Sequence, residues 1–334
     1  MSTAYAVYED ALFVVDLDRA SMVREHPFDS RSECVAVADD AVLVGTFEHG
    51  LQRSTDDGAS WERADGIEPD AVTSIAVAPD DPETVYAGTE ASGVYRSTDG
   101  GRTFERLDGL TDLPSADEWS FPPRPDTHHV RWIEPDPADP DLLHVAVEAG
   151  AQVRARLGED GGVDWEPRVP SARRDVHTII THPDAGGHAW VAAGDGYAET
   201  ADAGESWQHP QAGLEHTYCW SVAVGLNPAS TGRWTPRVLL SAATSAREAH
   251  RVGESYLYRR EGGAWERLDD RGIPTGEGTY RAVLARGDDE ATFWAANNHG
   301  LYRTTDGGDA WTEIDVSWPE RLGDQTCRGL TIVD

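Results

Sequence analysis

Seven stretches of this sequence read as short strands with alternating apolar residues, and aligning them on that alternation exposes one unusual position. It holds Glu33, Thr73, Arg131, His177, Trp220, Arg281 and Arg328. A packed strand interior calls for small apolar groups there, yet six of the seven are charged, aromatic or imidazole. The chemistry on offer is anion recognition. A guanidinium is a planar fork that grips a carboxylate through two parallel hydrogen bonds. Arg131, Arg281 and Arg328 brought to one point would hold one anionic ligand. A second position, at the end of the following strand, holds Glu9, Glu48, Glu90, Glu148, Asp195 and Asn298. Two uses of these columns stay open. The acids and arginines pair, Arg131 with Glu148 for example, and so satisfy buried charge; or the arginines are kept for a ligand.

Other groups lie near these columns. Seven histidines fall on the same side of the repeats: His49, His128, His129, His177, His216, His250 and His299. Tyr218, Trp220 and Tyr280 offer stacking surface for a sugar or another planar group, or simply pack the rim. His128, His129, His177 and Asp195 are donors of the type that hold zinc, but their spacing is no local ligand motif. No metal or cofactor is expected, and no residue is assigned a catalytic role. The ligand set is therefore Arg131, Arg281, Arg328, His177, Trp220, His129, Tyr280, Glu148 and Asp195.

The elements that must position these residues are written in a repeat. Ser54-Thr55-Asp56-Asp57-Gly58-Ala59-Ser60-Trp61 recurs at residues 97–104, 200–207 and 304–311 as S/T-x-D-x-G-x-x-W/F. Two worn copies keep part of it. Residues 158–165 retain Asp160, Gly162 and Trp165, whereas residues 258–265 have Arg260 in place of the Asp. This is hairpin-turn chemistry. The Asp accepts backbone N–H bonds within its own turn, the Gly two residues on permits positive φ, and the aromatic opens the next strand. Asp56, Asp99, Asp160, Asp202 and Asp306 are structural on this reading.

Successive turns lie 43, 61, 42, 58 and 46 residues apart, counting Arg260. About 40–45 residues suits a four-stranded propeller blade. The long intervals carry insertions at 110–128, 227–237 and 244–253. Blade 2 shows the layout, with strands predicted at 72–78, 84–89, 93–97 and 103–107. Residues 328–333 read as a first strand with nothing after it, while 4–8, 12–16 and 22–26 supply a second, third and fourth. The two ends complete one blade and leave no open edge. The prediction is an all-β, seven-bladed β-propeller over residues 1–334, one domain, its last blade closed by the N- and C-terminal strands.

The repeat resembles the Asp-box, or bacterial neuraminidase repeat, and the chain looks like the BNR-like and YVTN-like propellers. Relatives of that kind include sialidases, xyloglucan-degrading enzymes, sortilin-type receptors and the photosystem II assembly factor. The resemblance implies that the box links the third and fourth strands of a blade, away from the ligand face. That face is the channel mouth, where the connections between blades and between second and third strands lie. Sialidases share an arginine cluster for the substrate carboxylate, but they have six blades and an early Arg-Ile-Pro motif absent here. Tyr280 beside Arg281 matches no family nucleophile. Two functions follow from the resemblance: a non-enzymatic binding or scaffold propeller for an anionic small molecule or protein partner, and a glycosidase-like hydrolase or lyase acting on an anionic or carbohydrate substrate.

Composition bounds the partners. All 28 basic residues are arginine, set against 60 acids for a formal net charge of −32. The acids are dispersed among Val, Ile, Tyr and Trp, so the chain is not an acidic disordered tail. Such a surface excludes phosphate-backbone binding, which needs basic charge. Cys34, Cys219 and Cys327 lack the spacing of a zinc or disulfide framework. No apolar run approaches the roughly 20 residues that span a membrane, and no signal peptide is read at the start. The expectation is a cytoplasmic monomer from a halophile. Self-repulsion opposes the compact state at low salt and is screened at molar salt, where the Debye length is about 3 Å. Dialysis to about 0.1 M salt, where that length grows to about 10 Å, should therefore lower the melting temperature; a flat or rising value would refute the halophilic reading.

Overall fold

Alternating strand sequence separated by Gly, Asp and Pro turns builds seven antiparallel sheets in the computed structural model, which describes residues 2–159, 161–228 and 234–333. Each sheet is a blade whose strands run A to D from the channel outward. Blade 1 is Ser32–Ala38, Ala41–Thr46, Leu51–Ser54 and Glu62–Arg63. Blade 2 is Ala71–Ala78, Asp81–Glu90, Val94–Ser97 and Glu105–Leu107, close to the predicted spans. Blade 4 keeps three strands, its outer edge reduced to a bridge between Glu199 and Gln208. Blade 7 joins the chain ends: Cys327–Val333 pairs with Thr3–Tyr8, placing Val333 opposite Thr3 and Gly329 opposite Val7. No helix among the described residues is long and apolar enough to cross a membrane.

Because successive side chains of a strand point to opposite faces, each blade buries one set against each neighbour. Leu43 and Leu51 of blade 1 pack with Val85, Tyr95 and Phe104 of blade 2. Val42 and Val44, one residue out of step, pack with Tyr5, Leu12 and Val14 of blade 7. The other interfaces repeat this scheme.

The repeated turns join strands C and D. The Asp side chain accepts the N–H of the residue four on, at 2.8 Å for Asp56, 3.0 Å for Asp99, 2.9 Å for Asp202 and 3.0 Å for Asp306. The preceding Ser or Thr hydroxyl donates to the same carboxylate and accepts the glycine N–H. Those glycines sit at φ 81, 78, 83 and 95, where a Cβ is unfavourable. Bonds from the Ser60 hydroxyl and N–H, with the Ser54 hydroxyl, hold the Asp56 carboxyl down at about 2. Asp160 lies outside the described residues. In blade 5 an ion pair replaces the missing Asp: Arg260 reaches Glu199 of blade 4 at 2.8 and 3.0 Å and donates to the Gly263 carbonyl.

The innermost strand has an irregularity that sequence alternation does not show. Pairing with strand B skips one residue in six blades, and the skipped residues are Glu33, Thr73, Arg131, His177, Trp220 and Arg328. In blade 6 the equivalent Arg281 stands just before Val283–Arg286. A bulge leaves its extra residue out of the ladder and re-aims its side chain. The carbonyls beside these bulges are taken by the preceding blade. Thr73 donates to Val130 O at 2.7 Å, His177 Nδ1 to Cys219 O at 2.7 Å, and Thr178 to Trp220 O at 2.9 Å. Thr331 of the last strand does the same to Val35 O.

Ring closure thus rests on one seven-residue strand that also stitches blade 7 to blade 1. Deleting residues 327–334 should abolish the cooperative unfolding transition or lower its midpoint sharply, read by circular dichroism in molar salt. Unchanged cooperative unfolding would refute closure by this strand.

Candidate functional site

The bulge column converges. Glu33, Thr73, Arg131, Trp220, Arg281 and Arg328 all line a cavity of about 490 Å³ at the channel mouth. Thr73, Arg131, Trp220 and Arg328 also line a narrower space of about 70 Å³ further down the channel, so they form the cavity floor. Two insertions supply the walls. Phe121, Pro122, Pro123 and Arg124 come from the blade 2 to blade 3 connection, and Ala246, Arg247, His250 and Arg251 from the loop between strands B and C of blade 5. Seven arginines line the cavity against three carboxylates, Glu33, Glu148 and Asp175. In a chain of net charge −32 this is a local reversal of sign.

Most of these guanidinium groups are matched. Arg31 bonds Glu33 at 2.5 Å, and Arg124 bonds Glu90 at 2.9 and 2.5 Å. Arg247 pairs with Glu248, and Arg328 reaches Glu9 at 3.2 Å and Glu33 at 3.6 Å. Arg131 Nε lies 3.7 Å from Glu148 Oε2, which also accepts the His129 Nε2–H at 2.9 Å. The pairing reading therefore holds in part, since the acid column does pair with arginines. Arg251 is exposed and makes no ion pair among the described residues, and Arg281 is the buried exception. It is 3 % exposed, has no carboxylate partner among the described residues, and its Nε makes no hydrogen bond. Its guanidinium carbon sits 3.8 Å from the centre of the Trp220 ring, and that of Arg131 sits 5.0 Å from the same ring.

The electrostatics follow from this crowding. Burial, with the charges of Arg328 and Arg131, lowers Arg281 to about 9. Burial and the Arg281 charge lower His250 to about 3, so its imidazole is neutral. His250 Nε2 lies 2.7 Å from the Tyr218 hydroxyl and 3.4 Å from Arg281 Nη1. Burial alone would raise Glu148, but the hydrogen bond and charge of His129, with the charges of His177 and Arg131, pull it well below the ordinary carboxylate range. Asp175 goes the other way. Burial raises it against the attraction of His177, and the neighbouring Glu148 and Asp195 charges add to the rise.

Several expected residues lie elsewhere. Asp195 is exposed, accepts the Arg174 N–H at 3.3 Å and does not line the cavity. Tyr280 is half-buried outside the wall, its N–H donating to Asn298 Oδ1. His177 lies buried under the floor against Tyr218 and Trp220. His128 bonds Ser92, His216 stacks on Tyr256, and neither borders the cavity. Arg31, His129, Asp175 and Tyr218 all line the cavity, and each stands two residues before a bulge residue. Period-two alternation puts such pairs on one face, a signal that would have found Arg31 and Asp175.

No family model matches this sequence, and no curated protein matches it. Solved structures do share its fold. An ancestral GH74 enzyme superposes with a TM-score of 0.60 at 15% identity, covering 86% of this chain and 40% of its own. The GH74 xyloglucanase from Xanthomonas campestris gives 0.59 at 17%, covering 85% and 45%. YCF48 bound to D1 peptide gives 0.56 at 16%, covering 86% and 83%. This chain spans less than half the length of either GH74 protein. At these identities the likeness is one of fold, and its neighbours include both enzymes and an assembly factor.

The pairing pattern separates Glu148 from Arg281 in a stability measurement. Glu148→Gln leaves His129, His177 and Arg131 without their shared anion and should cost on the order of 3–5 kcal/mol. Arg281→Met removes a buried charge that lacks a partner while keeping an apolar stem on Trp220, and should leave stability equal or higher. Urea unfolding in molar salt measures both; equal losses would mean Arg281 is compensated after all.

Proposed function

We propose that this propeller is a non-enzymatic binding protein whose channel mouth holds a carboxylate-bearing small molecule. The observation that carries the reading is Arg281, a buried guanidinium facing the cavity with no acid of its own. Burying a charge unpaired costs several kcal/mol, and a ligand anion is the natural compensation. One buried uncompensated cation calls for one negative charge, and the carboxylates of Glu33, Glu148 and Asp175 on the wall oppose a more highly charged anion. A volume of about 490 Å³ fits the roughly 300–1,000 Å³ of small-molecule pockets. Phe47, Phe121, Pro122 and Pro123 give the ligand body an apolar wall. The bound peptide of YCF48 supports a peptide carboxylate as another occupant of the same clamp.

One observation favours the hydrolase or lyase reading: Glu148 and Asp175 present carboxylate oxygens within 4.8 Å of each other, with proton affinities pushed in opposite directions. Paired carboxylates of that kind do acid–base work. The gap is shorter than the roughly 5–5.5 Å of retaining glycosidases, and Glu148 is already held by His129 and Arg131. Fold neighbours do not choose between these readings.

A thermal-shift series in molar salt tests the proposal, using benzoate, glucuronate and a free C-terminal dipeptide, each beside its neutral amide or alcohol. The acids should raise the melting temperature of the wild type and the neutral partners should not, with the shift lost in Arg281→Met. Stabilisation is roughly 2.7 kcal/mol at a hundredfold excess over Kd. No response to any acid, or a full response in Arg281→Met, would overturn the anion-clamp reading.

A further inference from the structure

Below the anion clamp lies a cluster that the clamp does not use. His177 Nε2 is 3.7 Å from Glu148 Oε1 and 3.9 Å from Asp175 Oδ1, and the three donor atoms lie within 4.8 Å of one another. Each side chain is fixed from behind. His177 Nδ1–H donates to Cys219 O at 2.7 Å, Glu148 Oε2 accepts from His129 at 2.9 Å, and Asp175 accepts the Ala149 N–H at 3.0 Å. The bond to Cys219 sets the tautomer, and the Tyr218 hydroxyl lies 3.4 Å from the other ring nitrogen, Nε2. It sits in a fully buried ring facing two carboxylates.

The observed separations are too long for hydrogen bonds. They are instead the separations of ligands around a cation, because donors each about 2.1 Å from an ion stand up to about 4.2 Å apart. We infer that His177, Glu148 and Asp175 form a binding site for a divalent first-row metal ion. Backbone and His129 contacts behind the donors are the arrangement that orients metal ligands. One imidazole with two carboxylates suits manganese, iron or zinc. Glu148 and Asp175 border the cavity, so the ion's remaining positions face the carboxylate that Arg281 attracts. The two carboxylates offset the repulsion of Arg131 and Arg281.

A second group, His182 with Asp184 and Glu290, lacks this character. His182 Nδ1 accepts the Asp184 N–H at 3.2 Å, while Nε2 faces Glu290 at 3.2 Å and Arg286 at 3.1 Å. Its Nε2 is held by a guanidinium and a carboxylate more closely than any contact of His177 Nε2, and it serves as the control.

The test is isothermal titration of chelator-treated full-length protein with manganese chloride and, separately, zinc chloride in molar salt. One saturable site per chain is expected for at least one ion. His177→Ala and Asp175→Asn should abolish it, His129→Ala should weaken it about 10–100-fold, and His182→Ala should leave it unchanged. Arg281→Met should keep metal binding while losing the benzoate response. Absence of saturable binding in the wild type with both ions, or binding that survives His177→Ala, would overturn the inference. Wild type that binds benzoate but neither ion would sink the metal site and leave the anion clamp standing. Ion binding without any response to acids would do the reverse.

Discussion

Six of the seven inner strands carry one more residue than their partner strand can pair, and the chain must place both the side chain and the neighbouring carbonyl of that residue. A bulge in an ordinary sheet would send them to solvent. In a closed ring the side chain has the channel to enter, and the carbonyl meets the next blade. Thr73, His177 and Thr178 each donate to a carbonyl one blade ahead. One local irregularity therefore stitches the ring and turns one residue per blade into the channel. It also demands small residues on strand B. A Cβ on Gly45 would lie 2.4 Å from Cys34 Sγ, and one on Gly88 would lie 2.3 Å from Ser74 Oγ. These glycines admit the bulge.

The charge arrangement follows from this geometry. Seven channel-facing positions crowd into a small volume, and ionised groups there lose water. Stability then requires that each charge find an opposite one. Glu148 satisfies His129 and Arg131 together, while Glu33 and Glu9 share Arg328. What remains after that pairing is Arg281, and its aromatic neighbour does not neutralise it. A cation over the face of Trp gains about 2 kcal/mol when desolvated, less than the several kcal/mol that burying an ion costs. The difference is what a ligand can supply.

Much of this was legible in the sequence. The turn motif gave the blade period, and the orphan strands at the two ends gave the count and the closure. The polar column was found as a violation of apolar alternation, which is the trace a bulge leaves in a sequence. Its cause was hidden because a bulge is a pairing event and needs the partner strand. That omission explains the misplaced residues. Extending the strand B column points to Asp195, whereas blade 4 delivers Asp175, two residues ahead of its bulge. Tyr280 is suggested by its place beside Arg281, yet adjacent residues on an extended chain point to opposite sides. His250 comes from an insertion with no counterpart in other blades, so the sequence puts it on the mouth side with six other histidines but does not single it out as a cavity wall.

That last case shows how a repeat protein makes a single site. Equivalent blades create equivalent positions, and seven equivalent positions would line a symmetric pore. A clamp for one ligand needs asymmetry. Here it enters by two routes. The bulge position varies freely among Glu, Thr, Arg, His and Trp because its side chain faces the channel and not a packed neighbour. The two insertions on the mouth side, 110–128 and 244–253, then close the cavity from two sides with Phe121, Arg124, His250 and Arg251. Of the third, at 227–237, the described residues extend the strands Tyr218–Pro228 and Trp234–Ala243 on the opposite side and do not line the cavity. On that opposite side the Asp turns keep one sequence in four blades, because a turn that must accept fixed N–H groups has few solutions. Uniformity and variation thus fall on opposite ends of the same strands, each where backbone hydrogen bonding requires or releases it.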